Sequence, residues 1–345
     1  MPYIYDVVSD EQFANAMFVY TKMLAPICQI FAISFNILNM TIFFRMGLRD
    51  SFNITFFALS LSDLFCVLLE ASDTVCLNIA MSPWQQNLPV SLYSISGGIH
   101  YYQYIFFDTS VCLETFLAVT RCCCVAMPLR FKNMFAYERS LVIILILIVC
   151  NFVFRIPLLS SYTLTWQTHP STNQTIFTFY STNDFKFYSS LEQIASHTIF
   201  PVILFCIATL CSVILTTSLA DASLKRNLMT RAKSNPESVY ANELKTDHVN
   251  LSTKTLNTKE VQLVKAVTLV TLVLGLVLLI LSVFSLAEAA VPEFFARKKY
   301  NNTHSVCAIV VSLVILSHSG YKFIIYYSFN SKFRMIIKRI LGLSI

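Results

Sequence analysis

Seven long stretches of mainly apolar residues divide the chain, and short polar segments separate them. A helix needs about 20 mainly apolar residues to cross the hydrocarbon core of a bilayer, and every stretch reaches that length. The pattern predicts seven membrane-spanning helices, at roughly Tyr20–Phe44, Phe52–Ala80, Ser94–Met127, Ser140–Tyr162, Leu191–Leu219, Val261–Ala290 and Ser305–Phe329.

A shorter pattern of a different kind follows the seventh stretch. In Ser331–Leu343, apolar residues recur at helical spacing and basic residues lie opposite them. This arrangement is typical of an amphipathic helix on a membrane surface. We therefore predict an all-α fold, in which a seven-transmembrane helix bundle (residues 20–330) precedes a short C-terminal amphipathic surface helix (331–345).

Lysine and arginine are distributed unevenly between the two sides of the predicted bundle. The richer side holds Arg45, Arg49 and the basic residues of segments 130–139, 225–259 and 332–339. The poorer side holds Lys22, Lys186, Arg297, Lys298 and Lys299. Because short loops rich in basic residues stay in the cytoplasm, the pattern predicts an extracellular N-terminus (1–19), a cytoplasmic C-terminus and a multi-pass location in the plasma membrane.

The composition agrees with an integral membrane protein. Of 345 residues, 56% are hydrophobic and only 13% are charged, which leaves too little polar surface for a soluble protein. The net charge of +6 arises from basic residues beside the apolar stretches, so it does not indicate nucleic-acid binding. The 11 cysteines show no zinc-type spacing, and we expect them to be small buried residues without a metal.

The longest predicted inner loop, residues 220–260, is rich in Ser, Thr, Asn and Lys and lacks apolar periodicity, so we expect it to be mostly disordered. It contains Ser234 after two basic residues, a candidate phosphorylation site. Two sequons, at Asn173 and Asn301, fall in predicted outer loops and are candidate glycosylation sites.

Ionisable residues interrupt the third apolar stretch. Asp108, Glu114 and Arg121 lie among Val, Cys, Leu and Phe. A charged side chain inside a membrane span costs at least about 3 kcal/mol unless it is paired or hydrated, so each such residue is a functional hypothesis.

Several short motifs resemble those of one receptor family. The chain has Asn36 and Asn39 in the first stretch, the segment from Asn53 to Asp63 in the second, Arg121 before Ala126-Met127-Pro128-Leu129 in the third, Pro201 in the fifth, and Ile324-Ile325-Tyr326-Tyr327 in the seventh. Together they resemble rhodopsin-like (class A) G-protein-coupled receptors. The segments 47–54 and 121–124 are similar to chemosensory receptors of gastropod molluscs.

The resemblance implies roles for residues at the inner end of the bundle. Coupling to a heterotrimeric G protein and activation would involve Arg121, Thr120, Pro128, Tyr326 and Glu260. Thr120 replaces the family's Asp, so we hypothesise that Arg121 is held instead by Glu260.

Other positions depart from the family pattern. The segment 276–281 lacks the family's aromatic residue and proline, and Lys322-Phe323 replaces Asn-Pro. The usual extracellular disulfide is also missing, because Ser96 stands near its third-helix position and the loop 160–190 has no cysteine.

The resemblance also implies a buried sodium pocket around Asp63, Ser110 and seventh-helix residues that include His318. Lys322 is new at this place. We hypothesise that its ammonium group pairs with Asp63 and replaces sodium, with Glu114 as a second partner, because a lone buried charge is unfavourable. The alternative is that Lys322 extends to the inner interface.

Polar residues in the outer halves of the stretches are candidates for ligand binding, and they are Asp73, Gln103, Arg155, His197 and Glu288. Gln103 stands where amine receptors of this class carry Asp, which disfavours a simple biogenic amine. Arg155 could bind a carboxylate ligand or pair with Glu192 or Asp73.

We therefore predict a chemosensory G-protein-coupled receptor rather than an enzyme. Its partners would be an extracellular small-molecule or peptide ligand, a heterotrimeric G protein and membrane lipid. Lys322 lies deeper than the opsin-type lysine position near Leu316, so we expect no retinal and no other cofactor. The alternatives are a neuropeptide-type receptor and, in a different class, a membrane transporter or ligand-gated channel.

Overall fold

A computed structural model describes residues 6–127, 130, 134–168, 175–234, 258–294, 298–340 and 342 of the chain. The helices are α1 (Asp10–Val19), α2 (Ala25–Met46), α3 (Ser51–Ala80), α4 (Leu92–Ala126), α5 (Tyr137–Ser160), α6 (Phe185–Glu192), α7 (Phe200–Ser234), α8 (Thr258–Ala290), α9 (Asn301–Phe329) and α10 (Ser331–Ile340). Strands β1 (Tyr162–Thr168) and β2 (Thr175–Ser181) form an antiparallel hairpin.

The long helices follow the seven predicted stretches. Within the described residues, six helical segments are long and apolar enough to cross a membrane, namely Asp10–Met46, Ser51–Ala80, Tyr137–Ser160, Phe185–Thr217, Val264–Ala290 and Asn301–Phe329. The protein is thus a mostly helical, multi-pass membrane protein. Helix α4 follows the remaining stretch and packs against α3, α5, α7 and α8, so the segment with the most buried charges lies at the centre of the bundle.

Two helices extend further than predicted. A π-helical turn, Tyr20–Leu24, joins α1 to α2, so the first helical segment begins at Asp10 within the predicted N-terminal region. Helix α7 continues to Ser234, which corrects the prediction of a disordered loop from residue 220. The segment 220–234 is rich in Ala, Leu, Lys and Arg, whose helix propensity favours continuation of the helix. Residues 235–257 lie outside the described part.

Local chemistry explains where the first helices begin and end. The Ser9 hydroxyl accepts a hydrogen bond from the Gln12 amide, and the Gln12 side chain accepts one from the Ser9 amide, which forms a capping box at the start of α1. Gly47, at φ 95°, ends α2 in a conformation that side chains rarely adopt. Asp50 then caps α3 through the Asn53 amide. The turn between the first two long helices is therefore short and specified.

Aromatic packing holds α10 against one end of the bundle. We call this end the inner end, and the opposite end the outer end, after the orientation predicted from the sequence. Phe333 is fully buried, with its ring centroid 5.6 Å from that of Phe43 and 5.7 Å from that of Phe323. Ile337, one turn later, is also buried, whereas Lys338 and Arg339 are in the last turn. The amphipathic pattern thus packs apolar residues on α2 and α9, and the location of α10 on a membrane surface stays a prediction.

The outer end of the bundle is covered by parts that the apolar pattern did not predict. The Phe177 amide of β2 donates to the Pro89 carbonyl at 2.7 Å, and the Ser91 amide donates to the Phe177 carbonyl at 2.9 Å. Phe179 of the same strand lies against Gly98 of α4. The segment 160–190 contains no cysteine, so the hairpin is attached to α4 by packing and hydrogen bonds instead of a disulfide.

The N-terminal segment is attached to the start of α9. Asp6 accepts hydrogen bonds from the Asn302 amide at 2.6 Å and from the Thr303 hydroxyl. Slight burial raises the pKa of Asp6, but these hydrogen bonds outweigh it and hold the pKa below its usual value. The carboxylate also lies at a helix N-terminus, where negative charge is favoured.

Gly98 provides a test of hairpin packing. A Cβ atom at position 98 would lie 2.4 Å from the Phe179 ring, whereas one at Gly97 would meet nothing within 4 Å. We expect Gly98→Ala to be less stable than Gly97→Ala by about 1–3 kcal/mol, because the ring must move. Thermal unfolding of both purified variants measures this difference, and equal unfolding temperatures would show that the hairpin does not depend on this contact.

Candidate functional site

Lys322 lies in the middle of the bundle and is 1% exposed. Its Nζ atom donates to Asp63 Oδ2 on α3 at 2.7 Å and also forms an ion pair with Glu114 on α4. Both carboxylates are buried as well. Lys322 therefore points into the bundle and does not extend to the inner interface. Its ammonium group contacts Asp63, the carboxylate at which the resemblance implied a sodium ion.

His318 lies one turn before Lys322 on α9 and joins the same cluster. Its Nε2 atom is 3.1 Å from Glu114 Oε2. We call Asp63, Glu114, His318 and Lys322 the central cluster. It contains two acidic and two basic side chains, which balance when the imidazole is protonated. Because the members come from α3, α4 and α9, a displacement of one helix must break or remake ion pairs with the other two.

The serines predicted beside this cluster are placed differently. Ser110 is buried, but its hydroxyl has no hydrogen-bond partner among the described residues. The Ser319 hydroxyl bonds to the Ile315 carbonyl within its own helix. Asn36 donates to the Ser319 carbonyl at 2.9 Å and so connects α2 to α9. The Asn36 amide thus adds a neutral hydrogen bond between helices near the ion pairs of the central cluster.

A second group of buried charges lies nearer the outer end. Arg155 of α5 is 1% exposed and pairs with Asp108 of α4 and Glu192 of α6. His197 is 3.2 Å from the same Glu192 carboxylate. We call these four residues the outer cluster. Glu192 was one of the partners considered from the sequence, whereas Asp108 was missed as a partner, although an acid in an apolar stretch implies a buried base.

A small cavity adjoins the outer cluster, with room for roughly one water molecule. Asp108 and His197 contribute polar groups to its wall. The Tyr104 and His197 rings meet edge to face, with centroids 4.6 Å apart. The apolar part of the wall comes from α4, α7 and α8, through Phe107, Val111, Phe200, Pro201, Leu278 and Leu281.

The other predicted ligand-binding residues lie in separate places. Asp73 accepts a hydrogen bond from Ser96, and Gln103 is buried in α4. Glu288 lies 2.8 Å from His304 Nε2 and accepts from Gln193 at 3.0 Å. The structure therefore brings only Arg155 and His197 of the five into one cluster.

A further polar contact near the outer end of the bundle was not predicted. The Tyr20 hydroxyl donates to buried Glu70 at 2.6 Å, which joins the first helical segment to α3. Glu70 lies on an apolar stretch, and its ionisable side chain was the available signal.

At the inner end, Arg121 is 4% exposed and its guanidinium carbon lies 3.3 Å from the centre of the Phe52 ring. This geometry is a cation–π contact. The Thr120 hydroxyl donates to the Leu117 carbonyl within α4. The Tyr326 ring packs against that of Phe56, with ring centroids 4.8 Å apart. The sequence predicted roles for these residues without indicating Phe52.

Several predicted positions lie outside what the structure describes. Pro128 and Asn173 are not described, nor are the side chains of Ser234 and Glu260. The hypothesis that Glu260 holds Arg121 therefore stays a prediction. Asn301 is described, at the start of α9, and Thr303 of its sequon donates its hydroxyl to Asp6.

Comparison with known protein families identifies the family of this chain. A family model described as "Serpentine type 7TM GPCR chemoreceptor Srw" matches residues 23–344, which is nearly the whole chain. No individually curated protein matches the sequence. The match covers every helix of the central and outer clusters.

Removal of the central ammonium group tests the ion pairs. We expect Lys322→Met to lower the free energy of unfolding by about 3–5 kcal/mol, since two buried carboxylates lose their partner. The exposed control Lys332→Met should change it by less than about 0.5 kcal/mol. The double variant Lys322→Met/Asp63→Asn should regain part of the loss. Thermal unfolding in detergent measures all three, and equal effects of the two single variants would exclude a buried ion pair.

Proposed function

The chain belongs to the Srw family of serpentine seven-transmembrane chemoreceptors, and we propose that it binds its ligand between the outer halves of its helices and activates a G protein at their inner ends. The family is one of receptors and not an enzyme class. In this proposal α4 is the third of seven spans, the N-terminus is extracellular, and the receptor lies in the plasma membrane. The uneven distribution of Lys and Arg supports this orientation.

The central cluster is the observation that carries the proposal. Four ionisable side chains, each about 1% exposed, lie inside a bundle whose exterior is apolar. Ionisable groups inside the hydrocarbon region are energetically unfavourable, and where they occur they mark functional sites. They lie between the outer cluster and Arg121 along α4, because Glu114 is six residues after Asp108 and seven before Arg121. A shift of α4 at the outer end would therefore reach the ion pairs before it reaches the inner end.

The positions of three buried residues support an activation mechanism similar to that of rhodopsin-like receptors. Asp63 lies in the centre of the bundle, while Arg121 and Tyr326 lie buried towards its inner end. We propose that the Lys322 ammonium group occupies the place of sodium and holds the inactive arrangement. Activation would then require Lys322 to change its carboxylate partners instead of releasing a soluble ion.

The outer cluster narrows the class of ligand. Arg155 already pairs with two carboxylates, so its charge is not available for an acidic ligand as the sequence alone allowed. The adjoining cavity offers aromatic and aliphatic walls with Asp108 and His197 as polar groups. The cavity has room for only about one water molecule, so a ligand there must separate the walls, and their lining favours a small, uncharged or weakly basic molecule. The hairpin packed on Gly98 covers part of the outer end, which favours a small molecule over a peptide.

His197 tests this ligand site. Cells that express the receptor with a G-protein reporter can be screened with water-borne odorants, amino acids and peptides. For an agonist found in this way, we expect His197→Ala to lower potency about tenfold, which corresponds to the loss of roughly one hydrogen bond. Asp184→Ala, at the exposed start of α6, should leave potency unchanged at equal surface expression. Equal potency of both variants would place the ligand elsewhere.

Sodium tests the role of Lys322. The unfolding temperature of the wild-type protein should be the same in sodium chloride and in choline chloride at equal ionic strength, because the ammonium group already neutralises Asp63. Lys322→Asn should be more stable in sodium chloride, since a small cation can then bind between Asp63 and Glu114. A clear sodium dependence of the wild type would refute the replacement of sodium by Lys322.

A further inference from the structure

An apolar crevice lies between α8 and α9 at the middle of their length. Its volume is about 440 Å³, within the range of small-molecule pockets. Val273 and Val277 form its α8 side, and Val310, Leu313, Val314, Ser317, His318 and Tyr321 form its α9 side. Val310 is 52% exposed whereas His318 is buried. The crevice therefore runs from the lipid-facing surface of the bundle to the central cluster.

Small side chains explain why this space is open. Among the described residues, helix α8 contributes only Val273 and Val277 to the crevice wall. Val277 lies in the segment 276–281, which lacks the aromatic residue and the proline of rhodopsin-like receptors. Towards the inner side, the Tyr321 hydroxyl donates to the Val270 carbonyl at 3.2 Å and joins the two helices. The crevice is thus limited on its inner side and open towards lipid.

His318, one of the residues that line the crevice, carries a buried polar atom without a hydrogen-bond partner in the described part of the chain. His318 is 1% exposed, and its Nε2 atom is used by Glu114. Its Nδ1 atom has no hydrogen-bond partner among the described residues. A buried polar atom without a partner is destabilising in surroundings of low polarity. A mainly apolar molecule with one hydrogen-bonding group would therefore pack against the apolar walls and provide a partner for this atom.

We propose that the crevice binds an uncharged aliphatic alcohol that arrives through the bilayer, and that the side chains covering the His318 ring move aside so that the hydroxyl group bonds to Nδ1. The walls exclude a charged ligand, because they offer no counter-charge outside the ion pairs of the central cluster. A hydroxyl group both donates and accepts, so it fits Nδ1 whether or not that atom carries a proton. The site is distinct from the outer cavity, and it exists whether or not the receptor couples to a G protein.

Photolabelling tests the site directly. The purified receptor in lipid nanodiscs is labelled with a straight-chain eight-carbon alcohol that carries a diazirine, and labelled peptides are identified by mass spectrometry. We expect labels on segments 273–277 and 310–321. Octan-1-ol should compete about tenfold better than octane at equal concentration in the membrane, because only the alcohol bonds to Nδ1. Equal competition by octane would show that any acyl chain fills the crevice and would overturn the proposal.

Two variants separate the crevice from general lipid contact. Val273→Phe is expected to fill the α8 side and to lower specific labelling about tenfold, a loss of roughly 1.4 kcal/mol. Val283→Phe is the matched control, since Val283 lies on the same helix and is 58% exposed but does not line the crevice. Val314→Phe should repeat the loss from the α9 side. Unchanged labelling in both crevice variants would refute the site, whatever the signalling assays show.

Discussion

Every charge that this chain places inside the membrane must have a partner there. Lys322, Arg155 and their carboxylate partners are buried inside the bundle, where an isolated ammonium or carboxylate group would cost several kcal/mol. Lys322 meets this requirement through Asp63 and Glu114, and Arg155 meets it through Asp108 and Glu192. Because these pairs join different helices, they determine which helices can be neighbours and how each is rotated about its axis.

The two clusters divide the bundle into layers that both include α4. The outer cluster joins α4 to α5 and α6, and the central cluster joins α4 to α3 and α9. Apolar side chains of α4 between the clusters, such as Val111 and Leu113, are buried. A densely packed helix moves as a unit, so α4 is the element through which an event at the outer cluster can alter the central one. In the proposed receptor, α4 could therefore transmit ligand binding to the central cluster without a bound sodium ion.

The sequence predicted the helices well because the bilayer imposes one strong rule on apolar length. The observed start of α5 at Tyr137 lies close to the predicted Ser140. The contact of Lys322 with Asp63 and Glu114 could also be predicted from the sequence, since a buried ammonium group needs carboxylates at the same depth. For Arg155 the sequence indicated Glu192 as one possible partner but did not indicate Asp108, because that contact depends on the rotation of α5 against α4, which local patterns do not encode. The hairpin was missed because its exposed, mixed strands resemble an ordinary loop.

The length of α7 has a consequence for any event at its inner end. The apolar part of this helical segment ends near Thr217, but the helix continues to Ser234. At 1.5 Å per residue, the extra turns extend roughly 25 Å along the helix axis. Electrostatic screening in the cytosol acts over about 8 Å. In the proposed orientation, a phosphate at the end of α7 would be too far from the lipid surface to interact with its charge. Its charge would act only on a protein that binds directly to this part of the helix.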